Sequence, residues 1–252
     1  MKRTVRWLLL LSAFLVLTIG VAAASLYAMQ DTLLYPGARA TMPPGALKVE
    51  RPDGVMRGWV LHPGAEDALV VFGGNGMSLS GYAPSLEACS KRAIYLMPYR
   101  GYEGQMGRPR EREFVADGIA LVDEVRKTHA HVGILGISIG TGVATQVALA
   151  RKPDKLWLVT PYDKMTRVAD DNMGGLPVSW LMHDPLDSEA AARQLKDVPV
   201  IVLQANRDEV IPAARTEALV RALPQPPAQW LHVDASHNTI LSTREMCSAL
   251  SE

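Results

Sequence analysis

Hydrophobic positions along this chain fall into two regimes. From Trp7 to Met29 no residue is charged, and Lys2, Arg3 and Arg6 stand before that run. About 20 continuous apolar residues span a bilayer, whereas a signal-peptide core needs only ~7 to 15. Segment 1–29 therefore predicts a signal anchor, although Ala22-Ala23-Ala24 before Ser25 leaves cleavage by a signal peptidase open. Basic residues before the run and Asp31 after it predict that the remaining chain lies on the non-cytoplasmic side, periplasmic in a bacterium and secreted if the segment is cleaved. Residues 30–46 read as a connector with Tyr35-Pro36-Gly37 and Met42-Pro43-Pro44-Gly45 as breakers.

In the second regime, residues 47–252, short apolar runs alternate with amphipathic stretches. Strands are predicted at Leu47–Arg51, Met56–Leu61, Ala68–Phe72, Ala93–Met97, Val132–Ile137, Leu156–Val159, Val200–Gln204 and Gln229–Val233. Helices are predicted at Tyr82–Arg92, Glu111–Lys127, Thr141–Arg151, Ser188–Leu195, Ala213–Ala222 and Thr239–Leu250. Leading strands that can pair as hairpins, followed by repeated strand and helix units, predict an α/β domain. Its mostly parallel eight-stranded sheet carries helices on both faces. Between Thr160 and Val198 no sheet element is evident, and Met165, Met173, Leu176, Trp180, Leu181 and Met182 cluster there.

The 252 residues are 48% hydrophobic with 26 basic and 26 acidic side chains, which suits one globular core and gives no reason to expect nucleic acid as a partner. Cys89 and Cys247, each in a predicted helix and without metal-ligand spacing, are expected as packed free thiols, with a bridge open to an exported domain.

The candidate chemistry centres on His131-Val-Gly-Ile-Leu-Gly-Ile-Ser138-Ile-Gly-Thr-Gly142, where an apolar strand turns into a helix. A Gly-x-Ser-x-Gly string at that junction is what a nucleophile elbow requires. The serine is raised on a sharp turn, and glycines at 136 and 140 let the backbone pass its neighbours. A serine hydroxyl is a poor nucleophile and needs a base oriented by a third group. His237 follows the last strand and is the expected base. Asp208 follows the strand Val200–Gln204 and is the expected acid, with Glu209 or Asp163 as substitutes; Asp234 is expected to cap the His237 turn. Charge developing on the substrate oxygen calls for aimed donors. The Ile139 N–H is one, and the loop Gly73-Gly74-Asn75-Gly76-Met77 supplies the other, assigned to the Asn75 N–H with Gly76 as alternative. A plain tight turn is the competing reading of that loop.

The order Ser138, Asp208, His237 and its strand-end placement resemble the α/β-hydrolase superfamily, and more narrowly its membrane-anchored α/β-hydrolase-domain members. The closer likeness rests on Gln30-Asp-Thr-Leu-Leu-Tyr-Pro36, Phe72-Gly-Gly-Asn-Gly76, Tyr99-Arg-Gly-Tyr-Glu-Gly104 with Gly107 and Pro109, Arg207-Asp-Glu-Val-Ile-Pro212, and Ser236-His-Asn238. Gly73 stands where relatives usually carry histidine, and Ile137 where many carry arginine. The resemblance implies a small cap over the site within Thr160–Val198. Arg100 is expected to tie loops together. The expected function is hydrolysis of a small or lipid-like acyl ester or thioester through an acyl-enzyme, with no cofactor or metal implied. A serine peptidase and an inactive membrane-tethered binding protein are the alternatives.

Overall fold

The computed structural model describes residues 2–37, 40–42, 45 and 47–251; the Pro43-Pro44 breaker lies outside them. The chain runs α1 (Lys2–Leu34), β1 (Leu47–Arg51), β2 (Gly54–Leu61), β3 (Ala68–Phe72), α2 (Leu79–Cys89), β4 (Ala93–Leu96), α3 (Glu111–Val125), β5 (Val132–Ile137) and α4 (Ile139–Arg151). It continues through β6 (Lys155–Val159), α5 (Met165–Asn172), α6 (Ser188–Ala192), β7 (Val200–Arg207), α7 (Ala213–Ala222), β8 (Gln229–Ser236) and α8 (Arg244–Ser251).

All eight strands form one sheet in the order β1-β2-β4-β3-β5-β6-β7-β8. β2 is antiparallel to both neighbours, and every later pairing is parallel. The order places β4 on one side of β3 and β5 on the other, so the connections leaving the carboxyl ends of β3 and β5 diverge. Ligand sites of open α/β sheets form at such a point.

β3, β4 and β5 are buried at every position because helices cover both faces. Alternate residues of β3 serve opposite layers. Val70 and Phe72 join the core under α3 and α4, whereas Leu69 and Val71 join the core under α2 and α8. On the second face the Trp157 indole donates to the Ala249 carbonyl at 2.7 Å. Cys89 of α2 and Cys247 of α8 are joined there as a disulfide, which replaces the expected pair of free thiols. Strand order packs α2 against α8, an adjacency that 158 residues of separation conceal.

Other departures have local causes. α2 begins before the expected Tyr82 because Ser78 accepts the Gly81 N–H at 3.0 Å and caps it. The expected terminal helix divides at Thr243, whose Oγ1 donates to the Ile240 carbonyl and accepts the Met246 N–H. α1 continues past Met29 to Leu34, so the first residues of the expected connector are helical. Arg100 lies buried with its Nε donating to Asp117 Oδ2 at 2.7 Å, and it also pairs with Asp53. Arg51 reaches the same Asp117, so these groups fasten the β1–β2 turn to α3, a structural role.

Candidate active site

Ser138 sits between the end of β5 and the start of α4 at φ 51°, ψ −121°, a conformation that non-glycine residues hold only where their surroundings enforce it. Those surroundings are identifiable. The Ser138 N–H donates to the Val159 carbonyl at 2.9 Å, and the Thr141 N–H and hydroxyl both donate back to the Ser138 carbonyl. A Cβ at Gly136 would meet Ala144 Cβ at 2.6 Å, and one at Gly140 would meet the Phe72 carbonyl oxygen at 2.3 Å. Only glycine permits α4 to start this close to β3 and β5.

His237 follows β8 and brings its Nε2 within 2.9 Å of Ser138 Oγ. Its Nδ1 lies 2.9 Å from both carboxylate oxygens of Asp208, which follows β7. An ionised carboxylate can only accept, so Nδ1 carries the proton and Nε2 of the neutral ring accepts from the serine hydroxyl. Asp208 is itself held, since Oδ1 accepts the N–H groups of Val210 and Ile211 at 2.9 and 2.7 Å. Burial shields the assembly, with 8% of the His237 side chain and 5% of the Asp208 side chain exposed.

Neither substitute acid occupies that position. Asp163 is fully buried but pairs with Arg167 at 2.6 Å and Arg215 at 3.3 Å. Glu209 instead accepts the backbone N–H of His237 at 3.1 Å, a hydrogen bond that holds its carboxyl below the usual glutamate range. Asp234 pairs with Arg207 rather than capping the His237 turn. Thr239 Oγ1 ties that turn by accepting the Ser236 N–H at 2.9 Å.

The loop after β3 lies against Ser138, and a Cβ on Gly74 would come within 3.5 Å of its Cβ. It is a tight turn as well as a wall of the site. The Met77 N–H donates to the Gly74 carbonyl at 3.2 Å, the Gly74 N–H donates to the Met77 sulphur, and Gly76 takes φ +64°. Asn75 and Ile139 both line the cavity that holds Ser138. As the first residue of α4, Ile139 has no intrahelical acceptor for its N–H.

Two tyrosines brace the loop after β3. Tyr99 donates its hydroxyl to the Gly73 carbonyl at 3.2 Å, and Tyr102 donates to Asn75 Oδ1 at 3.3 Å. Burial pushes the Tyr102 hydroxyl up to about 12 and Tyr99 well above its usual range, so both keep their protons. The neighbouring Glu103 accepts the Leu79 and Ser80 N–H groups at the start of α2. Resemblance marks this Tyr-Arg-Gly-Tyr-Glu-Gly segment, but the hydrogen bonds that explain it cross loops and are not visible in a local pattern.

Above Ser138 opens a cavity of about 380 Å³. That is near the lower end of the roughly 300–1,000 Å³ of ligand pockets. Its walls are mostly apolar: Met165 and Val168 come from α5, and Leu181 and Met182 from the turn beyond it. Met165, Leu181 and Met182 are among the residues expected in the cap; Val168 is not. Leu26, Leu33 and Leu34 of α1 also line it; the last two fall in segment 30–36 that carries the resemblance, but nothing in the sequence placed that segment or Leu26 at the cavity. Leu176 and Trp180, also expected among the cap's apolar residues, face outward instead and are 59% and 86% exposed.

No protein-family model matches this sequence. Among curated proteins, an uncharacterized protein of Mycobacterium tuberculosis is 29% identical over 247 residues, covering 89% of this chain and 87% of its own. Protein bem46 of Schizosaccharomyces pombe is 23% identical over 222 residues, 76% of this chain and 74% of that one. Among solved structures, an esterase of Pyrococcus furiosus superposes with a TM-score of 0.66 at 14% identity over 84% of this chain and 95% of its own. A hydrolase from Pseudomonas aeruginosa superposes with a TM-score of 0.61 at 15% identity, covering 81% and 96%.

Proposed function

We propose that this chain, which has the α/β-hydrolase fold, is a serine hydrolase that cleaves a carboxylic ester or thioester through an acyl-enzyme. The observation that carries this reading is the continuous hydrogen-bonded line from Asp208 through His237 to Ser138, with both links at 2.9 Å. His237 Nε2 takes the hydroxyl proton as Ser138 Oγ bonds to the acyl carbon. The imidazolium formed is stabilised by Asp208 through Nδ1–H. The tetrahedral oxyanion is received by the Ile139 and Asn75 N–H groups. Collapse breaks the bond to the leaving oxygen or sulphur, which takes the proton from His237. Water then gives a proton to His237 as it attacks the acyl carbon, and collapse breaks the bond to Ser138 Oγ, which takes that proton back from His237 as the acid leaves.

The mostly apolar cavity favours an acyl substrate over a peptide. The apolar helix α1 supports attachment to a membrane as a single-pass anchor, and the disulfide is in keeping with an oxidising, non-cytoplasmic compartment. Treating wild type and Ser138→Ala with a fluorophosphonate probe tests the chemistry. Labelling is expected in wild type alone; labelling of both proteins, or of neither, would overturn the proposal.

A further inference from the structure

α1 combines two features that a simple tether does not need. Its uncharged run ends at Met29, yet the helix continues to Leu34. Within it Gln30 is buried and Ala23, Leu26 and Leu34, at helical spacing from it, are partly shielded from solvent, while most of the other apolar side chains are exposed. This face is fastened to the cap. Gln30 is buried, its Nε2 donates to the Leu181 carbonyl at 3.0 Å, and its Oε1 accepts the His183 N–H at 3.0 Å. Beyond the helix, Tyr35 donates to Asp184 at 3.0 Å.

The clamp fixes where the cavity lies relative to a bilayer. Leu26 belongs to the uncharged run, whereas Leu33 and Leu34 lie beyond its end, and all three line the cavity that holds Ser138. At ~1.5 Å of rise per residue, this wall extends roughly 12 Å along the helix axis. One end of this wall falls within the uncharged run that matches hydrocarbon, and the wall as a whole lines the same cavity as Ser138. Trp180, the residue before the Leu181 that Gln30 holds, stands exposed, as does Leu176. Tryptophan beside an emerging helix suits the headgroup layer, where an apolar ring with one polar edge is at home.

We infer that the anchoring helix is itself one wall of the acyl site, and that the substrate is a bilayer lipid ester whose single acyl chain slides from the membrane along Leu26 and Leu33 to Ser138. This rests on the proposed hydrolase chemistry and specifies its substrate class. A cavity of about 380 Å³ suits one chain rather than two. Ser138 Oγ bonds to the acyl carbon while the ester C–O bond breaks, and the lipid alcohol leaves with the proton from His237. Water then releases the fatty acid.

The test uses the full chain in vesicles of ether-linked phosphatidylcholine, which offer no competing ester. Turnover of 1-monooleoylglycerol is compared with that of 1-monoacetylglycerol, because the leaving group is the same. Fluorophosphonate labelling is followed in parallel, and thermal melting confirms that each variant is folded. Wild type is expected to prefer the oleoyl ester by at least ~10-fold in kcat/KM, and Leu26→Trp to reduce that ratio about 10-fold. Ser138-dependent labelling with equal turnover of the two esters, or with a ratio untouched by both Leu26→Trp and Leu33→Trp, overturns the inference and leaves the hydrolase standing. Absence of labelling in wild type removes the hydrolase reading and the inference with it.

Discussion

The Glu209 carboxylate accepts the backbone N–H of His237 at 3.1 Å, one residue from the Asp208 carboxylate that accepts the same histidine's Nδ1–H at 2.9 Å. The loop after β7 therefore grips the base twice, by its backbone and by its ring. Glu209 contributes position, and its carboxyl is held below the ordinary value of 4.5 by that N–H. A depressed acid stabilises the folded state fully above its unfolded pKa, and that contribution disappears as pH falls through the folded value. Glu209→Gln should lower the melting temperature by a constant amount above pH 4.5, with the difference from wild type narrowing below it. A difference that grew on acidification would contradict the assignment.

The three members of the hydrogen-bonded line should lose activity unequally. Ser138→Ala is expected to lower kcat by about 10⁶, and Asp208→Asn by about 10⁴, because the latter leaves nucleophile and base in place. Steady-state rates on a soluble ester, normalised to folded protein, measure both. An Asp208→Asn enzyme within tenfold of wild type would return the role of acid to another carboxylate.

Gly140→Ala tests the elbow as a packing feature. The added Cβ would fall 2.3 Å from the Phe72 carbonyl oxygen and 2.6 Å from that of Gly73, both backbone atoms with little room to yield. Overpacking of this kind costs about 3 kcal/mol or more. Urea denaturation should show that loss, whereas Gly64→Ala, with nothing within 4 Å of the new atom, should stay close to wild type.

Tyr102→Phe removes the hydroxyl that donates to Asn75 Oδ1 without changing the ring that packs beside Tyr99. One such bond is worth about 1 kcal/mol, so a looser loop should lower kcat by up to about fivefold. KM should change little if the loop acts on the oxyanion. An effect confined to KM would point to substrate binding instead.

The disulfide closes a loop spanning 158 residues of sequence separation. Removing such a crosslink typically costs about 2–4 kcal/mol. The paired replacement Cys89→Ala/Cys247→Ala should lower the denaturation midpoint by a matching amount, and reductant should leave that variant unaffected while destabilising wild type. Intact mass without reductant should be two hydrogens below the reduced value. A mass that does not change on reduction would mean that the thiols are free.

Much of this architecture was legible locally. Eight apolar runs marked the strands, and the Gly-x-Ser-x-Gly string marked the elbow because it falls where an apolar run gives way to a helical pattern. Ser138, Asp208 and His237 could be chosen because each follows a strand, and parallel strands deliver such residues to one edge. Relationships between distant segments were not legible. The pairing of Cys89 with Cys247, the bracing of Asn75 by Tyr102, the grip of Glu209 on His237 and the return of α1 to wall the cavity all depend on which loops and helices become neighbours. Sequence by itself determined most of the elements, α5 excepted, and the sheet edge where the candidate site lies, because hydrophobic period acts over a few residues. Tertiary structure alone decided which side chains position that chemistry and what encloses it, because hydrogen bonds and apolar contacts depend on distance through space and leave no period in the chain.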